Sequence, residues 1–165
     1  MNKLSKKILS NNGYYNTISD LIESSVVLSM DNYIQHGSTS TLDHCIRVSY
    51  RSYKLAKLFN LDYKSAARAG LLHDLFLYDW HNAPKGKKLL EKHGYTHPQK
   101  ALNNASSNFD LNTKEKDILL KHMWPLTLRS VPKYKESFIV SLVDKYSSCG
   151  ETLIPVFSRI TDYIL

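Results

Sequence analysis

Only two cysteines occur in 165 residues, Cys45 and Cys149, far apart and each beside apolar neighbours. That spacing excludes a disulfide framework and predicts two reduced, buried thiols. No apolar run approaches the ~20 residues that a membrane span needs. The stretch from Met1 to Ser10 is basic but lacks the apolar centre of a signal peptide. The expected location is therefore the cytoplasm, with no membrane partner. Low-complexity tracts, internal repeats and long basic runs are also missing. Acidic residues are the scarcer sign, 15 against 22 Lys and Arg, for a net charge of +7. Such a balance favours anionic partners such as nucleotides or other phosphates. With the lysines scattered, it leaves nucleic acid open as a partner without indicating it. A hydrophobic content of 42% and a charged content of 22% exclude a disordered chain. At this length one domain over 1–165 is expected, large enough to bury a core without cross-links.

Strand alternation is absent too, and helical spacing takes its place. From Thr17 the residues Ile18, Leu21, Ile22, Val26, Met30 and Tyr33 recur at intervals of three and four, which predicts a helix. Residues 1–15 are polar and read as an arm or a short helix. The segment 35–40 breaks the pattern, and Ser40 has the character of an N-cap for a helix from Thr41 to about Phe59. Asn60-Leu61-Asp62 opens a further helix that runs to roughly Leu75, with Gly70 in its interior. A short helix is expected from Lys87 to His93, ended by Gly94. Another begins at Thr96 as N-cap, with Pro98 in its first turn. Asn112 or Thr113 caps the next, and Pro132–Ser148 forms one more, with Phe138, Ile139, Leu142, Val143 and Tyr146 inward. A last helix covers about Leu153–Tyr163. The fold class is thus all-α, a bundle of about seven or more helices.

Against this background one dipeptide stands out. His73-Asp74 lies inside the run Ala69-Gly70-Leu71-Leu72-His73-Asp74-Leu75-Phe76-Leu77. A carboxylate buried among apolar residues needs a partner or a metal. Other helices offer further inward polar groups: His44, His97, His122 and Asp144. A lone histidine on a helix is ordinarily a surface or hydrogen-bonded residue. It is the order of these residues, each near a helix end or after an apolar run, that carries the signal. A mixture of imidazoles and carboxylates suits a divalent transition metal rather than calcium.

The pattern His44, His73-Asp74, Asp144 resembles the signature of the HD-domain metal-dependent phosphohydrolase superfamily, over roughly residues 36–150. The resemblance implies an HD-domain-like helical bundle in which His44, His73, Asp74 and Asp144 ligate one metal. His97 and His122 resemble the extra ligands of the binuclear subgroup, so two ions are implied, with Asp74 bridging and Fe, Mn, Zn, Co or Ni as candidates. Relatives that cleave cyclic dinucleotides carry a glycine-lysine pair just after His-Asp. Phe76 and Leu77 stand in that region here, and a glycine-tyrosine-proline motif is missing. That departure leaves cyclic dinucleotide hydrolysis without support.

The implied activity is hydrolysis of a phosphomonoester or phosphodiester of a nucleotide or related small phosphate. Two ions ~3.5–4 Å apart can generate a hydroxide nucleophile at neutral pH. Asp74 would orient the nucleophile. His81 and Lys85, in the loop just after the dipeptide, are candidates to protonate the leaving oxygen, as is His36. Arg47 and Arg51 could clamp phosphate, and Tyr78, Trp80 and Trp124 could stack on a base. Two alternatives stay open: a di-iron oxygenase on the same fold, and a metal- or nucleotide-binding regulatory module without turnover. Oligomeric state is not legible.

Overall fold

A computed structural model describes residues 1–82 and 91–164, with 154–164 described by backbone alone. Eight α-helices occur among these residues, with almost no strand, so the all-α expectation holds. The first part of the chain is more regular than an arm. Helix α1 (Lys3–Leu9) is capped by Asn2, whose side chain accepts from the Ser5 amide. It is anchored from outside: the Asn2 amide donates to both Asp43 carboxylate oxygens, at 3.0 and 3.1 Å. Helix α2 (Asn12–Ile22) buries Tyr14, Ile18, Leu21 and Ile22. The helix expected to continue past Ile22 instead breaks at Glu23 and Ser24. It resumes as α3 (Ser25–Leu28) and a 3-10 turn (Ser29–Asn32) that carries Met30 into the core.

The break at 35–40 is a small hairpin, which the sequence did not announce. Strand β1 (Ile34–His36) pairs antiparallel with β2 (Thr39–Ser40), and Gly37 turns between them at φ 56°. A positive φ of this size is ordinary for glycine and costly for most other residues. The hairpin delivers the chain to Ser40, whose hydroxyl accepts from the Asp43 amide and caps α4 (Thr41–Leu58) as expected.

Helices α4 and α5 (Tyr63–Leu72) form the centre of the bundle, with α7 (Thr113–Lys121) against α5, and α6 (His93–Asn108) against α7. The long α8 (Lys135–Ile164) closes over α4, α5 and α7. Gly70 explains how closely α4 and α5 cross: a Cβ there would stand 3.0 Å from the Ser49 Cα. The space beside His73-Asp74 is thus taken by another helix. Beneath the crossing, the Ser49 hydroxyl donates to the Ala67 carbonyl at 2.6 Å and accepts from Tyr14 at 2.8 Å. Gly70→Ala sets two effects against each other. Helix propensity favours alanine by about 1 kcal/mol. Overpacking against backbone, which cannot rotate away, costs ~1–3 kcal/mol. The clash is expected to win, so thermal denaturation should give a lower Tm for the variant; an unchanged or raised Tm contradicts this account of the crossing.

Several helix ends differ from expectation. Helix α5 stops at Leu72, with His73 as its C-cap residue, rather than running to Leu75. Thr96 caps nothing: α6 begins at His93, so Gly94 lies within it and Pro98 is interior. The proposed Lys87–His93 helix falls mostly outside the described residues. Asn112 does cap α7, in a full capping box with Glu115. The two C-terminal helices expected from Pro132 and Leu153 are one helix. Its inward face is Val140, Val143, Asp144, Ser147 and Glu151, while Leu142 and Tyr146 are 62% and 71% exposed, the reverse of expectation. Both cysteines are free, but only Cys45 is buried and Cys149 is exposed.

Candidate metal centre

Six side chains from five helical segments meet in the middle of this bundle. His44 enters from the first turn of α4, His97 from α6 and Asp144 from α8. His73 and His122 occupy equivalent places: each is the C-cap residue of its helix, α5 and α7. The end of a helix leaves carbonyls without partners. At both ends the histidine supplies one, His73 Nδ1 donating to the Gly70 carbonyl at 2.9 Å and His122 Nδ1 to the Leu119 carbonyl at 2.8 Å. His97 Nδ1 donates likewise to the His93 carbonyl at 2.8 Å. All six residues are buried.

A carbonyl only accepts, so these three Nδ1 atoms carry hydrogen. In each neutral ring the Nε2 is then a lone pair, that of His73 facing Asp74 and Asp144 and those of His97 and His122 facing each other. His97 Nε2 and His122 Nε2 are 2.8 Å apart. Two lone pairs at that separation repel unless a positive charge lies between them. The same want of positive charge recurs nearby. His73 Nε2 and Asp74 Oδ1 are buried without a hydrogen-bond partner.

The donors fall into two groups that meet at Asp74. His44, His73 and Asp144 form one, and Asp74, His97 and His122 the other; the donor atoms of each group lie within 4.8 Å of one another. Asp74 reaches both. Its Oδ1 is 3.2 Å from His97 Nε2 and 3.6 Å from His122 Nε2. Its Oδ2 is 3.3 Å from His73 Nε2 and 4.0 Å from His44 Nε2. Asp144 Oδ1 completes the first group at 3.2 Å from His44 and 3.5 Å from His73.

In this metal-free arrangement protons carry the compensating charge. Burial disfavours ionisation of His44, yet hydrogen bonding to Asp144 and Glu151 and attraction from Asp144 outweigh it and raise its pKa to about 10. His73 is likewise raised despite burial, chiefly by Asp74. Burial also opposes ionisation of Asp74 and Asp144, but the facing imidazoles hold both well below the usual carboxylate range. At His122 burial prevails, reinforced by the charges of His97 and His73, and its pKa falls well below the ordinary value. Protons and a divalent cation therefore compete for one set of atoms.

Three supporting residues were not foreseen. Glu151 Oε2 accepts from His44 Nδ1 at 2.9 Å, and Oε1 lies 3.2 Å from an Arg47 guanidinium nitrogen. Gln35, brought in by the hairpin, donates from Nε2 to Asp74 Oδ2 at 2.6 Å. Lys145 donates to the His122 carbonyl and sits 3.2 Å from Asp144 Oδ2. Partners of this kind fix the orientation and basicity of metal-ligating groups.

Asp74, His97 and Asp144 open onto a cavity of about 290 Å³ whose wall also includes His36, Trp80, His93, Met123 and Lys145. His36 Nε2 lies 3.2 Å from the Ser148 hydroxyl. The expected candidates thus divide. His36 and Trp80 are on the wall. His81 is exposed, lies against the Trp80 ring and 3.6 Å from Asp79, and does not line the cavity. Arg47 is engaged with Glu151, Thr39 and the Asp43 carbonyl. Arg51 donates to Ser147 and packs over Tyr146 on another face. Tyr78 and Trp124 are also off the wall, and Lys85 lies outside the described residues.

An all-helical bundle with two abutting His/Asp clusters at its core is the type of protein defined so far. A family model described as HD domain matches residues 41–149, about two thirds of the chain, and the chain belongs to that family. The family consists mostly of metal-dependent phosphohydrolases, and membership together with the donor clusters fits divalent-metal binding. No curated protein and no solved structure matches the chain.

Proposed function

We propose that the protein is a metal-dependent phosphohydrolase acting on a phosphomonoester or phosphodiester of a nucleotide or a related small phosphate. His44, His73, Asp74 and Asp144 hold one divalent ion, and Asp74, His97 and His122 hold a second. The observation that carries the reading is the 2.8 Å approach of His97 Nε2 to His122 Nε2, with Asp74 Oδ1 unpartnered beside them. Divalent ions bound there supply a nucleophile at neutral pH and neutralise charge gathering on phosphoryl oxygens. The protein's own groups do the remainder. Gln35 fixes the rotamer of Asp74 through Oδ2, leaving Oδ1 aimed at the second cluster. Lys145, on the wall beside Asp144, offers a cation to an anionic substrate. It stands in for the lysine missing after His73-Asp74. The net charge of +7 favours the encounter.

Metal analysis of anaerobically purified protein, joined to a screen of phosphomonoesters and phosphodiesters, tests the reading. Close to two transition-metal ions per chain and turnover of a phosphate ester are expected. Metal-replete protein that cleaves nothing in a broad panel would speak against hydrolysis and leave a binding module.

A further inference from the structure

His93, the first residue of α6, belongs to neither donor cluster, yet it lines the cavity with Asp74, His97 and Trp80. Its ring is held on several sides. Trp80 stacks on it at 4.9 Å between centroids and 11° between planes, and His97 at 4.5 Å and 17°. Phe76 meets it edge-on at 4.9 Å. The ring can therefore neither flip nor swing without breaking a three-ring stack and its edge contact with Phe76. Its Nδ1 lies 2.8 Å from the Tyr78 hydroxyl.

That contact decides where the imidazole proton sits. The Tyr78 hydroxyl has no other acceptor among the described residues, and the Lys100 ammonium, 4.3 Å from its ring centroid, offers only donors. Donation to Nδ1 is thus the one direction that satisfies the phenol hydrogen within the described residues. An imidazole that accepts at Nδ1 carries its hydrogen on Nε2. Among the described residues Nε2 has no partner, and it is not sealed from solvent.

Resting on the proposed phosphohydrolase reading, we infer that His93 is a substrate-binding residue, whose Nε2–H donates a hydrogen bond to an oxygen of the phosphoryl group beside the Asp74–His97–His122 cluster. Tyr78 acts through it as a positioning residue that fixes the tautomer. The role suits a ring stacked directly on His97, because a donor there lies beside the second donor group on the cavity wall. It also gives the Tyr78-Asp79-Trp80 segment a purpose that a loop of solvated residues would not have.

Two measurements test this without turnover. Long-range nitrogen–proton NMR of the imidazoles in wild-type protein should show His93 as the Nε2–H tautomer, and in Tyr78→Phe that preference should weaken or vanish. A wild-type Nδ1–H tautomer overturns the assignment. Calorimetric titration of inorganic phosphate into manganese-loaded protein is the second. His93→Ala should weaken binding about tenfold or more, the scale of a hydrogen bond to a charged group, with manganese content unchanged. His93→Gln, whose amide can place a donor near the former Nε2, should recover most of the loss. Equal binding by wild type and His93→Ala, loss of manganese with the ring, or no phosphate binding by wild type each overturns the role. Wild type that binds phosphate through His93 but hydrolyses no ester would sink the hydrolase reading alone.

Discussion

Asp74→Ala is expected to lose at least one of the two proposed ions and to bring phosphoester hydrolysis down to background. The Asp74 carboxylate turns one oxygen to each donor group. Its Oδ1 faces His97 and His122, and its Oδ2 faces His73 and His44. Without it the second group has two imidazoles and no carboxylate, too few to hold a hard divalent ion firmly. The companion variant Asp74→Asn separates charge from shape. Gln35 donates toward Oδ2, so the asparagine carbonyl is drawn to that side and its amide turns toward His97 and His122. There it donates to the very lone pairs that otherwise require a cation. Asp74→Asn should therefore fold at least as well as the metal-free wild type while keeping no more than one ion. Metal content by plasma emission, paired with thermal melts and the ester assay, reads all three quantities. Two ions per chain and full activity in Asp74→Asn would remove Asp74 from the bridging position.

Much of this centre was readable before any coordinates, for a definite reason. Histidines and aspartates inside apolar helical runs have few places to go, and helical spacing assigns each to a face. All six expected ligands meet in the core. What escaped was set by tertiary structure. Gln35 lay in a segment read only as a break, and nothing local shows that a hairpin will turn it onto Asp74. Glu151 did leave a trace, standing seven residues after Asp144 and so on the same face of a helix. The trace was lost because α8 was divided near Ser148 and its inward stripe placed on Leu142 and Tyr146. Thr96 and Pro98 form a good local start signal, yet α6 begins earlier, where His93 stacks between Trp80 and His97. Ring packing there accompanies a helix that accepts an interior proline. The same misplacement hid His93 as a cavity residue.

Glu151 sustains the second large prediction, one that tests the centre from outside its ligand set. Its carboxylate receives the Nδ1 hydrogen of His44, which leaves the His44 Nε2 lone pair for the ion and makes it more basic. It also neutralises Arg47, whose guanidinium would otherwise add positive charge beside the site. Glu151→Gln keeps the shape and removes both effects. The amide oxygen can still accept from His44, but its NH2 then faces Arg47, donor against donor. Turning the amide over relieves Arg47 and abandons His44. Neither orientation serves both, so the cost falls on metal affinity through ring orientation and on charge balance together. A weakening of about 10- to 100-fold is expected, typical for loss of such a partner, and measurable by competition with a chelator of known affinity. The first proposed ion, held by His44, His73, Asp74 and Asp144, should weaken more than the second, since His97 and His122 are oriented by carbonyls that the substitution leaves alone. Equal weakening of both ions would point to a general loosening of α8 against α4, and unchanged affinity would show that His44 is oriented without Glu151.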